Sequence, residues 1–381
     1  MESGPVTDAL VTTAAFDALL GALADDGRRV IGPRVRDGAV VLDDLDGVAD
    51  LPVGWADEQS PGRYRLRRRD DDAHFGFTTP STSWKPFLHP AREVVFRARL
   101  DGAGFEVTPP DAPEPLAFIG VRACDLAGIA VQDRVLGGGR FVDAGYAARR
   151  SDVFVVAADC GESGPTCFCG SMGTGPTATT GFDLAVGERL GDEPRFFVRI
   201  GSARGAALLE RVEHTPATEA DRADARAAAA RAVAGQSRSV AAGEVAGLLA
   251  RNLEHPRWDE VAERCLACTN CTLVCPTCFC TSVEDSVDLA GTEAVRSRRW
   301  DSCFTLDFTA LGGAPVRGSV RSRYRQWLTH KLSTWQDQFG ELGCVGCGRC
   351  LTWCPVGIDL TEEVAAIGAT DGAENPGGTP S

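Results

Sequence analysis

An α/β domain followed by a smaller, mostly α-helical and cysteine-rich domain is the architecture that the sequence predicts. Three observations predict it. Over residues 1–212 short β-rich runs alternate with helical stretches, a run at 213–254 is rich in Ala and Arg, and 255–365 carries most of the cysteines. The first pattern is that of strands separated by helices, the second reads as a helical connector, and the third marks a site-bearing domain. The tail at 366–381 is Gly-, Pro- and polar-rich and is expected to be disordered.

Within the first domain GAVVLDDL, YRLRRR, REVVFRARL, LAFIGV, DVFVVAA and RFFVRI are expected strands. LAFIGV leads into RACDLAGIAVQDRVL, a loop and then a helix with Asp125 as its expected N-cap. RFFVRI leads through a glycine into the helical SARGAALLERV. The N-terminal stretch lacks a basic leader and a cleavage site and reads as a surface helix.

Composition excludes several classes. With 44% hydrophobic and 24% charged residues the chain is of the soluble globular class. No apolar run reaches the roughly 18 residues of a membrane span, so no direct membrane insertion is expected and the expected compartment is the cytoplasm. A net charge of −14 argues against nucleic acid as a partner. Lysine occurs only as Lys85 and Lys331. Fifteen cysteines is a high and odd number; in a reducing compartment clustered cysteines point to metal rather than disulfides.

The most specific signal is a repeated spacing. Cys265, Cys268, Cys271 and Cys275 follow C-x2-C-x2-C-x3-C with Pro276 next, and Cys344, Cys347, Cys350 and Cys354 repeat it with Pro355 next. This is the bacterial ferredoxin run for a [4Fe–4S] cube, in which the fourth cysteine serves the other cluster. The expected ligand sets are therefore Cys265, Cys268, Cys271 and Cys354 for one cluster, and Cys344, Cys347, Cys350 and Cys275 for the second. The long separation between the runs, with helical stretches such as SRYRQWLTHKLSTWQDQF, predicts an α-helical ferredoxin-like domain with an inserted segment. Zinc usually takes paired C-x2-C arms instead.

Cys124 follows LAFIGV and Cys160 follows DVFVVAA; Cys167 and Cys169 share the Gly-rich loop of Cys160. If the two strands are parallel neighbours, all four thiols gather at the carboxyl edge of the sheet, where open α/β sheets place their sites. They form a candidate site for a third [4Fe–4S] cluster, with structural thiols, zinc, or no metal as competing readings. Cys278, Cys280 and Cys303 are left as structural thiols, as neighbours of a cluster, or as donors to the third site. RGSVRSRYR (317–325) reads as a dock for an acidic partner, a source of charge near the clusters, or a solvated face. The five histidines are scattered, the glycine stretches lack a dinucleotide-binding context, and no catalytic residue is expected.

GVRACDLAGI (120–129), YAARRSDVFVVAADCGESGPTCFCGSMGTGP (146–176), CLACTNCTLVCPTCFC (265–280) and YRQWLTHKL with GCVGCGRCLTWCPVGIDL resemble the 4Fe–4S dicluster family. That family includes the beta subunit of cytoplasmic NAD(P)-linked nickel–iron hydrogenases (sulfhydrogenases) and the A-type iron–sulfur subunit of anaerobic sulfite reductase. The resemblance runs from about residue 80 to about residue 362, and its specific part is GVRACD with CFCGSMGTG. It implies an electron-transfer subunit of an oxidoreductase complex, relaying single electrons between a nickel–iron hydrogenase module and a flavin- and NAD(P)-binding subunit. The alternatives are the corresponding subunit of a sirohaem sulfite reductase, or a flavin and cluster enzyme acting on its own. In the first reading flavin belongs to the neighbour, not to this chain.

Overall fold

The computed structural model of the protein describes residues 8–371 apart from Ala103 and Asp192. Its body is an eight-stranded mixed sheet. Its strand order is Thr215–Pro216, Ala9–Thr12, Arg195–Ile200, Leu184–Arg189, Phe154–Ala158, Leu116–Val121, Arg29–Arg36, Ala39–Asp44. The four strands Leu184–Arg189, Phe154–Ala158, Leu116–Val121 and Arg29–Arg36 run parallel, and antiparallel strands close both flanks. LAFIGV and FVVAA are buried along their whole length, as continuous apolar runs must be when a parallel sheet is covered on both faces. Ala117 and Ile119 pack with Phe16, Leu19 and Phe196 on one side. Phe118 and Val121 pack with Trp84, Ile129 and Tyr146 on the other. The loops after LAFIGV and FVVAA therefore leave the same edge of the sheet, next to each other.

The N-terminal helix, Thr13–Asp25, follows a strand, and its Phe16, Leu19, Leu20 and Leu23 are buried; it is a core helix rather than a surface one. The expected Asp125 N-cap is also corrected. The helix Ala123–Gln132 starts after an extended Arg122, and Asp125 sits inside its first turn, where a different charge claims its carboxylate. The 213–254 stretch is mainly two helices, Glu219–Ala234 and Val245–Arg251, the first closed by a capping box between Thr218 and Asp221.

The segment between the cysteine runs is partly β rather than wholly helical. Thr281–Val287 and Glu293–Trp300 form a hairpin that pairs with Arg92–Asp101 and Gly104–Thr108 into a second, antiparallel sheet. The helical part packs Trp258, Val261, Tyr324, Trp327, Leu328, Leu351 and Ile367 into a separate apolar core. Of the expected disordered tail, Leu360–Ala369 is helical at its start and 372–381 lies outside the described residues. Among the described residues no helix is long and apolar enough to cross a membrane.

His89 marks the seam between the two sheets. It is 1% exposed, its carbonyl accepts from Trp300 Nε1 at 3.0 Å, and neither ring nitrogen has a partner. Burial first, and then the Arg298 and Lys85 cations, push it down to about 4. The imidazole is neutral in the fold and takes up a proton on unfolding in the window between its ordinary value and about 4. Stability is thus full above the unfolded value and falls as pH drops through that window. Between pH 7 and pH 5 this group removes about 2 kcal/mol. Anaerobic denaturant unfolding of His89→Phe at the two pH values is expected to show a correspondingly smaller loss than the parent.

Candidate cluster sites

The two cysteine runs share one backbone. In the first, Ala267 and Thr269 adopt left-handed φ of 49° and 69°; in the second, Gly346 and Gly348 do so at 62° and 76°. Each pair sits at the same offsets from its cysteines, and each run then enters a four-residue helix, Asn270–Leu273 or Arg349–Thr352. These reversals curl each run into a tight turn before its short helix. Glycine is used in the second run for a reason of space. A Cβ on Gly346 would lie 2.6 Å from the Cys169 amide nitrogen, and one on Gly348 would lie 2.5 Å from the Thr166 carbonyl oxygen. The second run is pressed against the 160–176 loop; the first, not so confined, tolerates side chains in the strained conformation.

Cys265, Cys268, Cys271 and Cys354 line one cavity, walled by Phe304, Tyr324 and Trp327. The Ala267 amide donates to Cys265 Sγ at 3.4 Å and the Ile358 amide to Cys354 Sγ at 3.3 Å. Burial, then the neighbouring Cys265, Cys354 and Cys268, push the Cys271 thiol up. Around the second run, burial and then Cys344, Cys347 and Cys275 do the same to Cys350, and Cys344 is pushed up to about 12 chiefly by burial. Cys354 thus borders the first run's cavity together with Cys350, and Cys275 neighbours both Cys350 of the second run and Cys271 of the first.

The loop cysteines form a third group. Cys124 and Cys169 pack against Cys347 and Val345, and Cys167 feels both Cys169 and Cys160. The loop is fixed to the second run by the Phe168 amide donating to the Gly346 carbonyl at 2.9 Å and Thr174 Oγ1 donating to the Val345 carbonyl at 2.7 Å. Cys278, Cys280 and Cys303 are not part of it; Cys278 lies beside Cys275 and Cys280 beside Cys303.

Several residues of the site have no motif to announce them. Arg122 is buried and donates to the carbonyls of Phe75, Phe77, Thr78, Ala158 and Asp159, which places a guanidinium beside Cys160. Arg349 makes two 2.8 Å bonds to Asp125 and one of 3.0 Å to the Pro80 carbonyl. Gln236, in the stretch expected to carry no chemistry, donates to Cys169 Sγ at 3.2 Å and accepts from the Gly170 amide at 2.9 Å. Of the Arg-rich segment, Arg321 and Arg325 pair with Glu254, while Arg323 is buried near Cys265. The count of two lysines in a 381-residue chain was the one available signal for Lys331, whose Nζ donates to Cys275 Sγ at 3.2 Å.

The donor set is that of an iron–sulfur protein: clustered buried thiols that stay protonated without metal and release their protons only on binding iron, with amide donors and cations around them. The comparisons agree. Residues 264–358 match the 4Fe-4S dicluster domain, so the fold and site define a protein that carries such a domain behind a mixed-sheet body. The chain is 32% identical over 292 residues to the beta subunit of sulfhydrogenase 2 from Pyrococcus furiosus, covering 76% of this chain and 84% of that protein. It belongs to the family of these sulfhydrogenase beta subunits. No solved structure matches.

Two substitutions test the packing described. Asp125→Ala leaves the buried Arg349 without its counter-charge and is expected to cost about 3–5 kcal/mol in denaturant unfolding. Gly348→Ala adds a Cβ where Thr166 stands and is expected to cost about 1–3 kcal/mol, whereas Thr269→Gly, at the matching place in the first run, changes stability by less than about 1 kcal/mol.

Proposed function

We propose that the chain is the electron-relay subunit of a hydrogenase-type complex, holding two [4Fe–4S] clusters with exchanged fourth ligands and a third beside them. Cys265, Cys268, Cys271 and Cys354 hold one, Cys344, Cys347, Cys350 and Cys275 the second, and Cys124, Cys160, Cys167 and Cys169 the third. The observation that carries the reading is that Cys354 lines the cavity of the first run, which Cys350 also borders, while Cys275 lies among the thiols of the second. Bound cubes take up and release one electron at a time with little change of shape. The chain's own residues fix the cubes and set their electrostatics. The Ala267 and Ile358 amides and the Lys331 ammonium donate to ligand sulfurs, which favours the more reduced state. Arg122 and Arg349 add positive charge near Cys160 and Cys347.

The relative's name, a sulfhydrogenase subunit, supports a multi-subunit hydrogenase complex; the partners in this reading are a nickel–iron hydrogenase module on one side and a flavin- and NAD(P)-binding subunit on the other. The domain organisation at 1–212, 213–254 and 255–365 fits such a relay, the first part building the third site and the last the first two.

The ligand exchange has a direct test. In anaerobically purified protein, Cys275→Ser is expected to alter the same electron paramagnetic resonance signal as Cys347→Ser, and Cys354→Ser the same signal as Cys268→Ser. Cys275→Ser that instead matches Cys268→Ser would refute the exchange. Iron near eight per chain signifies two clusters, and about twelve signifies three.

A further inference from the structure

Three cysteines fall outside those twelve, and the fold gathers them. The hairpin register pairs Thr281 with Trp300, and the Asp301 amide donates to the Cys280 carbonyl at 2.8 Å, which lays Cys303 against Cys280. Cys278, two residues back, lies 3.7 Å from Lys331 Nζ. The WDSC segment thus folds back on TCFC and closes a thiol group beside Cys275.

Facing that group are both lysines of the chain. Lys331 is 4% exposed and Lys85 5%. Lys331 Nζ donates to Cys275 Sγ at 3.2 Å, Thr277 Oγ1 at 3.0 Å and the Gly343 carbonyl at 3.1 Å. Lys85 Nζ donates to the Thr272 carbonyl at 3.3 Å and stands 3.9 Å over the Trp300 ring. No carboxylate is among these partners. Burial, and Lys331 beside it, push the Lys85 amine down, so it keeps its proton here only where negative charge accompanies it. Cys275 and its cluster answer Lys331. Lys85 faces Cys278 first, ahead of Cys275, and Cys280 as well.

We propose that Cys278, Cys280 and Cys303 hold a further iron–sulfur centre, with Lys85 and Lys331 as its counter-charges. The proposal rests on the reading above for the neighbouring clusters. An iron–sulfur core fits better than zinc. Zinc usually takes paired C-x2-C arms, whereas these three thiols are a C-x-C pair and a distant cysteine, all within the stretch that matches the 4Fe-4S dicluster domain. Three thiolates leave one iron for a non-cysteine ligand. With this centre each of the chain's fifteen cysteines has a place.

The test uses the full chain in its native complex, isolated without oxygen. The triple variant Cys278→Ala/Cys280→Ala/Cys303→Ala is expected to lose about three or four irons and a like number of sulfides per chain, with the signals assigned to the two cysteine runs retained. Unchanged iron, or loss of zinc in its place, overturns the proposal. Should the triple variant not accumulate, alkylation of the parent decides. Cys278, Cys280 and Cys303 are expected to resist iodoacetamide until acid releases the iron; ready labelling, or a Cys280–Cys303 disulfide found by mass spectrometry, overturns it. Cys268→Ser measured in parallel separates the two readings, because iron lost there but not in the triple variant sinks only the additional centre.

Discussion

Arg349 lies in sequence between Cys347 and Cys350, and in space its side chain, 0% exposed, meets an Asp125 carboxylate that is 1% exposed. Asp125 is the residue after Cys124. One ion pair therefore joins the helix that starts at the sheet's carboxyl edge to the second cysteine run. Neither charge is tolerable there alone, since an unpaired charge in the interior costs several kcal/mol. The guanidinium stays protonated and its planar fork fits the carboxylate with two bonds at once, so the contact fixes orientation as well as distance. The Pro80 carbonyl takes a further guanidinium N–H, tying in the segment that leads to Trp84 and Lys85. The glycines of the second run allow the approach that this clamp holds shut.

What could be read from the sequence follows from what local pattern records. The cysteine runs were legible because the first three cysteines of each lie within seven residues and the chemistry of a [4Fe–4S] cube calls for that spacing. LAFIGV and DVFVVAA were legible because strands covered on both faces need unbroken apolar runs, and their parallel pairing put Cys124 and Cys160 on one edge. The hairpin 281–300 escaped notice because its strands are largely polar and only partly buried, without the apolar alternation of a half-buried strand. Asp125 was misread for a related reason. An acidic residue near a helix start suits an N-cap, but its partner lies 224 residues away, and no local rule reports a long-range charge. Arg122, Gln236 and Lys331 escaped likewise, since each acts through contacts made by the fold.

Those hidden residues have a common physical basis. Thiolate-held clusters carry negative charge, and the chain as a whole already stands at −14. Gathering more anionic groups in a low-dielectric interior is unfavourable unless cations accompany them. Each thiol group has one: Arg323 near Cys265, Lys331 on Cys275, Arg122 near Cys160. Local cations of this kind also raise reduction potentials, so the same groups that permit burial make the buried sites better electron acceptors.

Exposure gives the arrangement a direction. Cys268 is exposed and the adjacent Leu266 is 64% exposed, so the first run opens to the surface. Its Cys271 lies within reach of Cys350 in the second run, and Cys347 in that run packs against Cys124 and Cys169. The thiol groups therefore follow one another from the surface to the carboxyl edge of the sheet. At that edge Cys160 borders a second opening lined by Arg69, Phe75 and Phe77. A string of sites closed at one end stores electrons; one that reaches solvent at both ends passes them on. The two openings lie beside different parts of the fold, one by the cysteine-run domain and one by the sheet.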